Sequence, residues 1–104
     1  MVYRVLLTEM ASRQLDDIVE YIAIKLCNPA AVRSILDDVD EAVKQLMTTA
    51  DCYGFCKESE LAELGYMKFH LRKHRYVLLY RIVDKYVYVE RFFHELHDYR
   101  YLIL

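Results

Sequence analysis

The chain has 104 residues, 56% of them hydrophobic and 29% charged, with a formal net charge of −2 at pH 7. That length suits one domain and is too short for two separate cores, and the apolar share excludes a chain too polar to fold. The near-neutral balance excludes a globally basic protein, and no apolar run approaches the roughly 20 residues that a transmembrane helix needs.

Residues 2–7 read as a short strand that follows directly on the start of the sequence, so no targeting peptide is expected. Thr8 has the chemistry of a helix N-cap, because its hydroxyl accepts from a free backbone N–H of the first turn. Ala11, Leu15, Ile18, Val19, Ile22 and Leu26 follow at helical spacing, which predicts an amphipathic helix over about 9–26. Asn28 and Pro29 mark a new start, one suited to the cap and the other to the first helical position. A second helix is expected over about 29–49, with Val32, Ile35, Leu36, Val39, Ala42, Val43, Leu46 and Met47 as its apolar stripe. The short link makes a helical hairpin.

Residues 50–59 have no period and contain Gly54, so they read as a loop, and residues 60–64 as at most one helical turn. After Gly65 the period changes to two. Strands are expected over 66–71, 76–83 and 86–93, rich in aromatic and β-branched residues, with Asp84-Lys85 as a tight turn. Strand, two helices and three strands define an α+β domain, β-α-α-β-β-β, with an N-terminal helical hairpin packed on a mostly antiparallel sheet. In the 76–83 strand, Tyr76, Leu78, Tyr80 and Ile82 share one side and Val77, Leu79 and Arg81 the other. Both sides are apolar, so alternation alone does not say which one meets the helices.

Charge is unevenly spread. Residues 34–63 carry Asp37, Asp38, Asp40, Glu41, Asp51, Glu58, Glu60 and Glu63, whereas residues 68–81 carry Lys68, Arg72, Lys73, Arg75 and Arg81 and no acid. This basic stretch either faces an anionic partner or is a solvated strand face. Ten tyrosines suit a half-buried sheet or an interface. Cys27, Cys52 and Cys56 make an odd count, which points to reduced thiols in the cytoplasm, and Cys52 with Cys56 lacks the further ligands of a zinc site. There is no Gly-rich phosphate loop, and no cofactor or metal is expected.

At this point the chain resembles the RelE/ParE family of bacterial toxins. The resemblance rests on several segments in order. Thr8-Glu9-Met10-Ala11 and Leu15-Asp16-Asp17-Ile18-Val19-Glu20-Tyr21-Ile22 are similar to the first helix of ParE-type members, and the break at Asn28-Pro29 and the strand opening at Gly65-Tyr66-Met67-Lys68 agree with it. Arg75-Tyr76-Val77-Leu78-Leu79-Tyr80-Arg81-Ile82 resembles the family's hallmark strand, and Arg91-Phe92-Phe93-His94-Glu95-Leu96-His97-Asp98-Tyr99 its closing segment. The resemblance implies a toxin encoded beside an antitoxin that folds over it and blocks it, as a toxin–antitoxin hetero-oligomer. Grooves beside the helical hairpin and the sheet edge are expected to accept the antitoxin's helix or strand.

Two activities occur in the family. RelE-type members cleave messenger RNA on the ribosome, and ParE-type members inhibit DNA gyrase. Metal-free RNA cleavage needs a base for the ribose 2′-OH, cations for the crowded phosphate and an acid for the leaving oxygen. Lys68, His70, Arg72, His94 and Tyr99 are the candidates for such a set. The arginine that RelE-like members carry in the hallmark strand falls, aligned on Tyr80, at Val77, and valine cannot stabilise a phosphate. The expectation is therefore a ParE-like inhibitor that contacts gyrase through Arg72, Lys73, Arg75, Arg81 and Arg91. The alternatives are an RNA-cleaving enzyme and a non-toxic antitoxin-binding relic. His94 occupies a position where some RNA-cleaving relatives have a catalytic histidine; its structural reading is a bond to Asp98 or to a backbone carbonyl. His97 is expected at the surface.

Overall fold

The computed structural model describes residues 2–96. Strand β1 (Arg4–Leu7) leads into helix α1 (Glu9–Glu20), a π-helical turn (Tyr21–Lys25) and helix α2 (Pro29–Thr49). A 3-10 turn (Ala50–Cys52) and a short helix α3 (Ser59–Glu63) precede strands β2 (Met67–His70), β3 (Tyr76–Val83) and β4 (Tyr86–His94). The expected order is present, and the helical turn expected at 60–64 is the short helix α3. The sheet has the order β1-β4-β3-β2, with β1 parallel to β4 and the other two pairs antiparallel.

Both helix starts follow from side-chain capping. Thr8 Oγ1 accepts from the Ala11 N–H at 3.2 Å, and Asn28 Oδ1 from the Ala31 N–H at 3.1 Å. The end of α1 differs from the sequence reading. The regular helix stops at Glu20, and the wider π turn brings Ile22 into the core. Leu26, placed in the apolar stripe by its spacing, is exposed instead, and Cys27 takes a left-handed φ of +47° to reverse the chain. Leu36 and Met47 lie at the flanks of the α2 stripe and are also exposed.

The sheet is apolar on both sides because it is covered on both sides. Met67, Leu78, Tyr80, Val87, Val89 and Phe92 belong to the core shared with the hairpin residues Ile22, Ile35, Val39, Ala42 and Leu46. Val77, Leu79 and Phe93 join a second core with Cys56, Leu61 and Tyr66. Alternation therefore separates two cores rather than a core from solvent. Tyr80 ties the first core together: its wholly buried hydroxyl donates to the Ala50 carbonyl at 2.6 Å. Burial pushes that phenol far above the usual tyrosine range.

One residue of β4 is inserted against β3. Leu79 pairs with Arg91 and Tyr80 with Val89, which leaves Glu90 as a bulge. Pairing to β1 ends at the same place, where the Thr8 N–H donates to the Val89 carbonyl. Beyond it the Phe92 N–H has no strand to meet on that side, and Gln14 Oε1 of α1 accepts from it at 2.7 Å.

Candidate functional site

Register places the expected cations in rows. On the sheet face away from the helical hairpin, His70, Val77 and Phe93 form one row, and Lys68, Leu79 and Arg91 the next. Arg81 and Tyr88 continue this face towards Leu6. The centre of the face is the small second core. Val77 is only 2% exposed, with Leu61 and Cys56 in the same cluster. Burial raises the Cys56 thiol above its usual value despite the nearby Lys68 charge.

Arg81 is engaged by Glu90 while its side chain stays 42% exposed. Its Nε donates to Glu90 Oε2, its Nη2 to Glu90 Oε1 at 3.3 Å, and its guanidinium lies 5.3 Å from the centre of the Tyr66 ring. Burial, reinforced by the Glu90 charge, holds the Tyr66 phenol above its usual range. Arg91 reaches back to the Glu90 carbonyl at 2.8 Å. Lys68 lies 4.0 Å from Glu58.

Arg72, Lys73 and Arg75 lie in the turn between β2 and β3 and point to solvent, Arg75 within 3.8 Å of Glu95. The turn is organised by Asp38, a buried carboxylate on α2. Its oxygens accept from the Arg72 N–H at 3.2 Å and the Lys73 N–H at 2.9 Å, and the other contact is His74 Nδ1 at 2.7 Å. His74 Nε2 in turn lies 3.4 Å from Ser34 Oγ. Burial alone would raise the Asp38 carboxyl; the bonds from His74 and the two amides overcome it and hold the pKa below the usual value. Asp38 was not foreseen as a functional position. The signal was present, because it falls three residues after Ile35 and four before Ala42, on the apolar stripe.

His94 is at the far end of β4. It pairs with Tyr76, packs edge-to-face on that ring at 5.4 Å, and its Nδ1 accepts from the Leu96 N–H at 3.2 Å. It lines a groove of about 360 Å³ beside α1, with Ile18, Tyr21 and Phe92. The sheet thus separates His94, on the helix side, from Lys68 and His70. Tyr99, Asp98 and His97 lie outside the described residues. Among those described, no three His, Cys, Asp or Glu side chains converge as a metal site, and no helix is long and apolar enough to cross a membrane.

A strand, a capped helical hairpin and a three-strand meander closed by the first strand define a small α+β fold with a mixed sheet. Residues 5–99 match the profile of the ParE toxin of type II toxin–antitoxin systems, and the chain belongs to that family. The fold is similar to a chain of the chromosomal ParDE toxin–antitoxin system from P. aeruginosa, with a TM-score of 0.74, 21% identity, and 89% of this chain and 96% of that one covered. It is similar also to a chain of the RelBE2 toxin–antitoxin complex from Mycobacterium tuberculosis, with a TM-score of 0.61, 27% identity, and coverage of 90% and 99%. No curated protein sequence matches.

Proposed function

We propose that this toxin arrests growth by binding DNA gyrase, as a ParE-like inhibitor without catalysis of its own, and that a cognate antitoxin holds it inactive. The observation that carries the reading is the filling of the outer sheet face. Where the resemblance assigns RNA-cleaving relatives a phosphate-binding arginine, this chain has Val77, buried with Leu79 and Phe93 in a dry cluster. A charge has no place there without a partner. His94, the candidate acid or base, lies on the opposite side of the sheet from Lys68 and His70. Of the candidate cations, Arg72, Lys73 and Arg75 face solvent on the turn braced by Asp38, and these are the proposed contacts to gyrase.

The antitoxin partner is supported by the two similar folds, both from toxin–antitoxin systems. In this chain Tyr21, Ile24 and Leu26 expose apolar surface at the hairpin tip, next to the groove lined by Ile18, Tyr76 and Phe92. An amphipathic helix laid there would cover both.

The deciding experiment is pulse labelling after induction of the toxin alone. Thymidine incorporation is expected to fall before methionine incorporation, with DNA breaks. Cleaved transcripts and an earlier fall in methionine incorporation would instead establish RNA cleavage. His94→Gln is expected to keep toxicity if the protein folds, since a gyrase binder needs no proton transfer from it.

A further inference from the structure

A second cleft lies at the open edge of β2, between α2 and the loop 53–57, with a volume of about 570 Å³. Its walls differ in chemistry. Glu41 and Gln45, one helical turn apart on α2, supply oxygen acceptors, and Gln45 also an amide. Lys57, Lys68, His70 and Arg72 supply cations from the opposite side. Asp38 also borders the cleft, but its carboxylate already accepts from the turn amides.

Three aromatic rings stand around this space. Tyr53 and Phe69 pack edge-to-face at 5.1 Å. Phe55 bridges to Met67 through its backbone, yet its side chain is 65% exposed. Gly54, between Tyr53 and Phe55, has a φ of +69°, and a Cβ there would meet nothing within 4 Å. The loop thus presents two large rings beside open space. Phe55 thus offers an aromatic face to the cleft that the fold leaves uncovered.

We propose that this cleft binds one nucleotide that bears an amino group on its base. A base stacks on the rings of Phe55 and Tyr53, as flat π-faces do in single-stranded recognition. Glu41 and Gln45 accept from its exocyclic amine, and Lys57, Lys68 and Arg72 face its phosphate. The polarity of the cleft, acceptors on one wall and cations on the other, matches the polarity of such a ligand. The size falls within the roughly 300–1,000 Å³ of small-molecule sites. Inorganic anions leave the rings unused, and an acidic peptide offers them no flat face.

The cleft shares Arg72 with the proposed gyrase contacts, so the test uses Phe55 and Lys57, which are not among those contacts, and it is read in vitro. Its failure leaves the gyrase reading standing, and failure of the gyrase reading leaves this one standing. The test is an NMR titration of the full chain with AMP, TMP, inorganic pyrophosphate and an adenylate hexamer. AMP is expected to saturate shifts at Tyr53, Phe69 and His70 with a Kd at or below about 1 mM, and TMP, lacking the amine, to bind about tenfold more weakly. Phe55→Ala and Lys57→Glu are each expected to weaken AMP about tenfold at unchanged Tm, and Phe55→Tyr to retain binding. A hexamer that binds far more tightly than AMP makes the natural ligand a single strand, and equal binding makes it a free nucleotide; both uphold the site. Pyrophosphate binding as well as AMP, no saturable shift, or Phe55→Ala without effect overturns the proposal.

Discussion

Asp38 connects the longest helix to the basic turn, and its energetics are those of a buried, multiply bonded carboxylate. Charge-assisted hydrogen bonds of this kind contribute about 1.5–3 kcal/mol each, so Asp38→Asn is expected to cost at least about 2 kcal/mol in urea unfolding. The pH dependence follows from the lowered pKa. A carboxyl held below its unfolded value of 3.8 stabilises the fold above that value, and the contribution is lost as pH falls through the folded value. Acid unfolding of Asp38→Asn is therefore expected to be less steep below about pH 4 than that of the parent chain. Tyr80→Phe removes one buried hydrogen bond, from the phenol to the Ala50 carbonyl, an expected loss of about 0.5–1.5 kcal/mol by the same measurement. Asp38 was legible as an acid on an apolar stripe. Gln14 and Glu90 were not, because their roles depend on where β1 stops and β4 bulges, which no local pattern encodes.

At the level of elements, caps and periods carried far. Thr8, Asn28 and Pro29 mark the helix starts, and the 76–83 strand coincides with β3. The end of α1 was misread because 3.6-residue spacing continues through Leu26, whereas the turn widens to meet Asn28. The two sides of β3 were indistinguishable for a physical reason: α3 and its flanks build a second core over Val77 and Leu79. Introducing the arginine of RNA-cleaving relatives tests this directly. Val77→Arg is expected to destabilise the fold by several kcal/mol and to confer no RNA cleavage, since the charge enters a dry cluster. A variant that melts like the parent and cuts RNA would overturn the filling argument. Thiol labelling probes the same layer: Cys27 and Cys52 are exposed and Cys56 is buried, so two rapid reactions and one slow one are expected, the slow one accelerating with denaturant.

Across the whole molecule, the family and the α+β order were legible in the succession of segments, while the distribution of surfaces was not. The sequence placed Arg72, Arg75, Arg81 and Arg91 in one candidate set; the fold divides them between a solvated turn and a half-buried network at Glu90. Apolar surface collects instead at the hairpin tip. Ile24 is 63% exposed, so Ile24→Asp is expected to change stability by no more than about 0.5 kcal/mol. The same change is expected to weaken antitoxin capture markedly in a binding assay, and unchanged capture would remove the tip from that interface.

The parallel pairing of β1 with β4 joins positions as far apart as Thr8 and Glu90, 82 residues along the chain. During synthesis at about 5–20 residues per second, the first strand must wait several seconds for β4, its sheet neighbour among the described residues. Every message truncated before β4 thus encodes β1 without the strand that joins it to β3 and β2. Such a truncated chain, with β1 left unpaired, is expected to be digested by proteases far faster than the complete one.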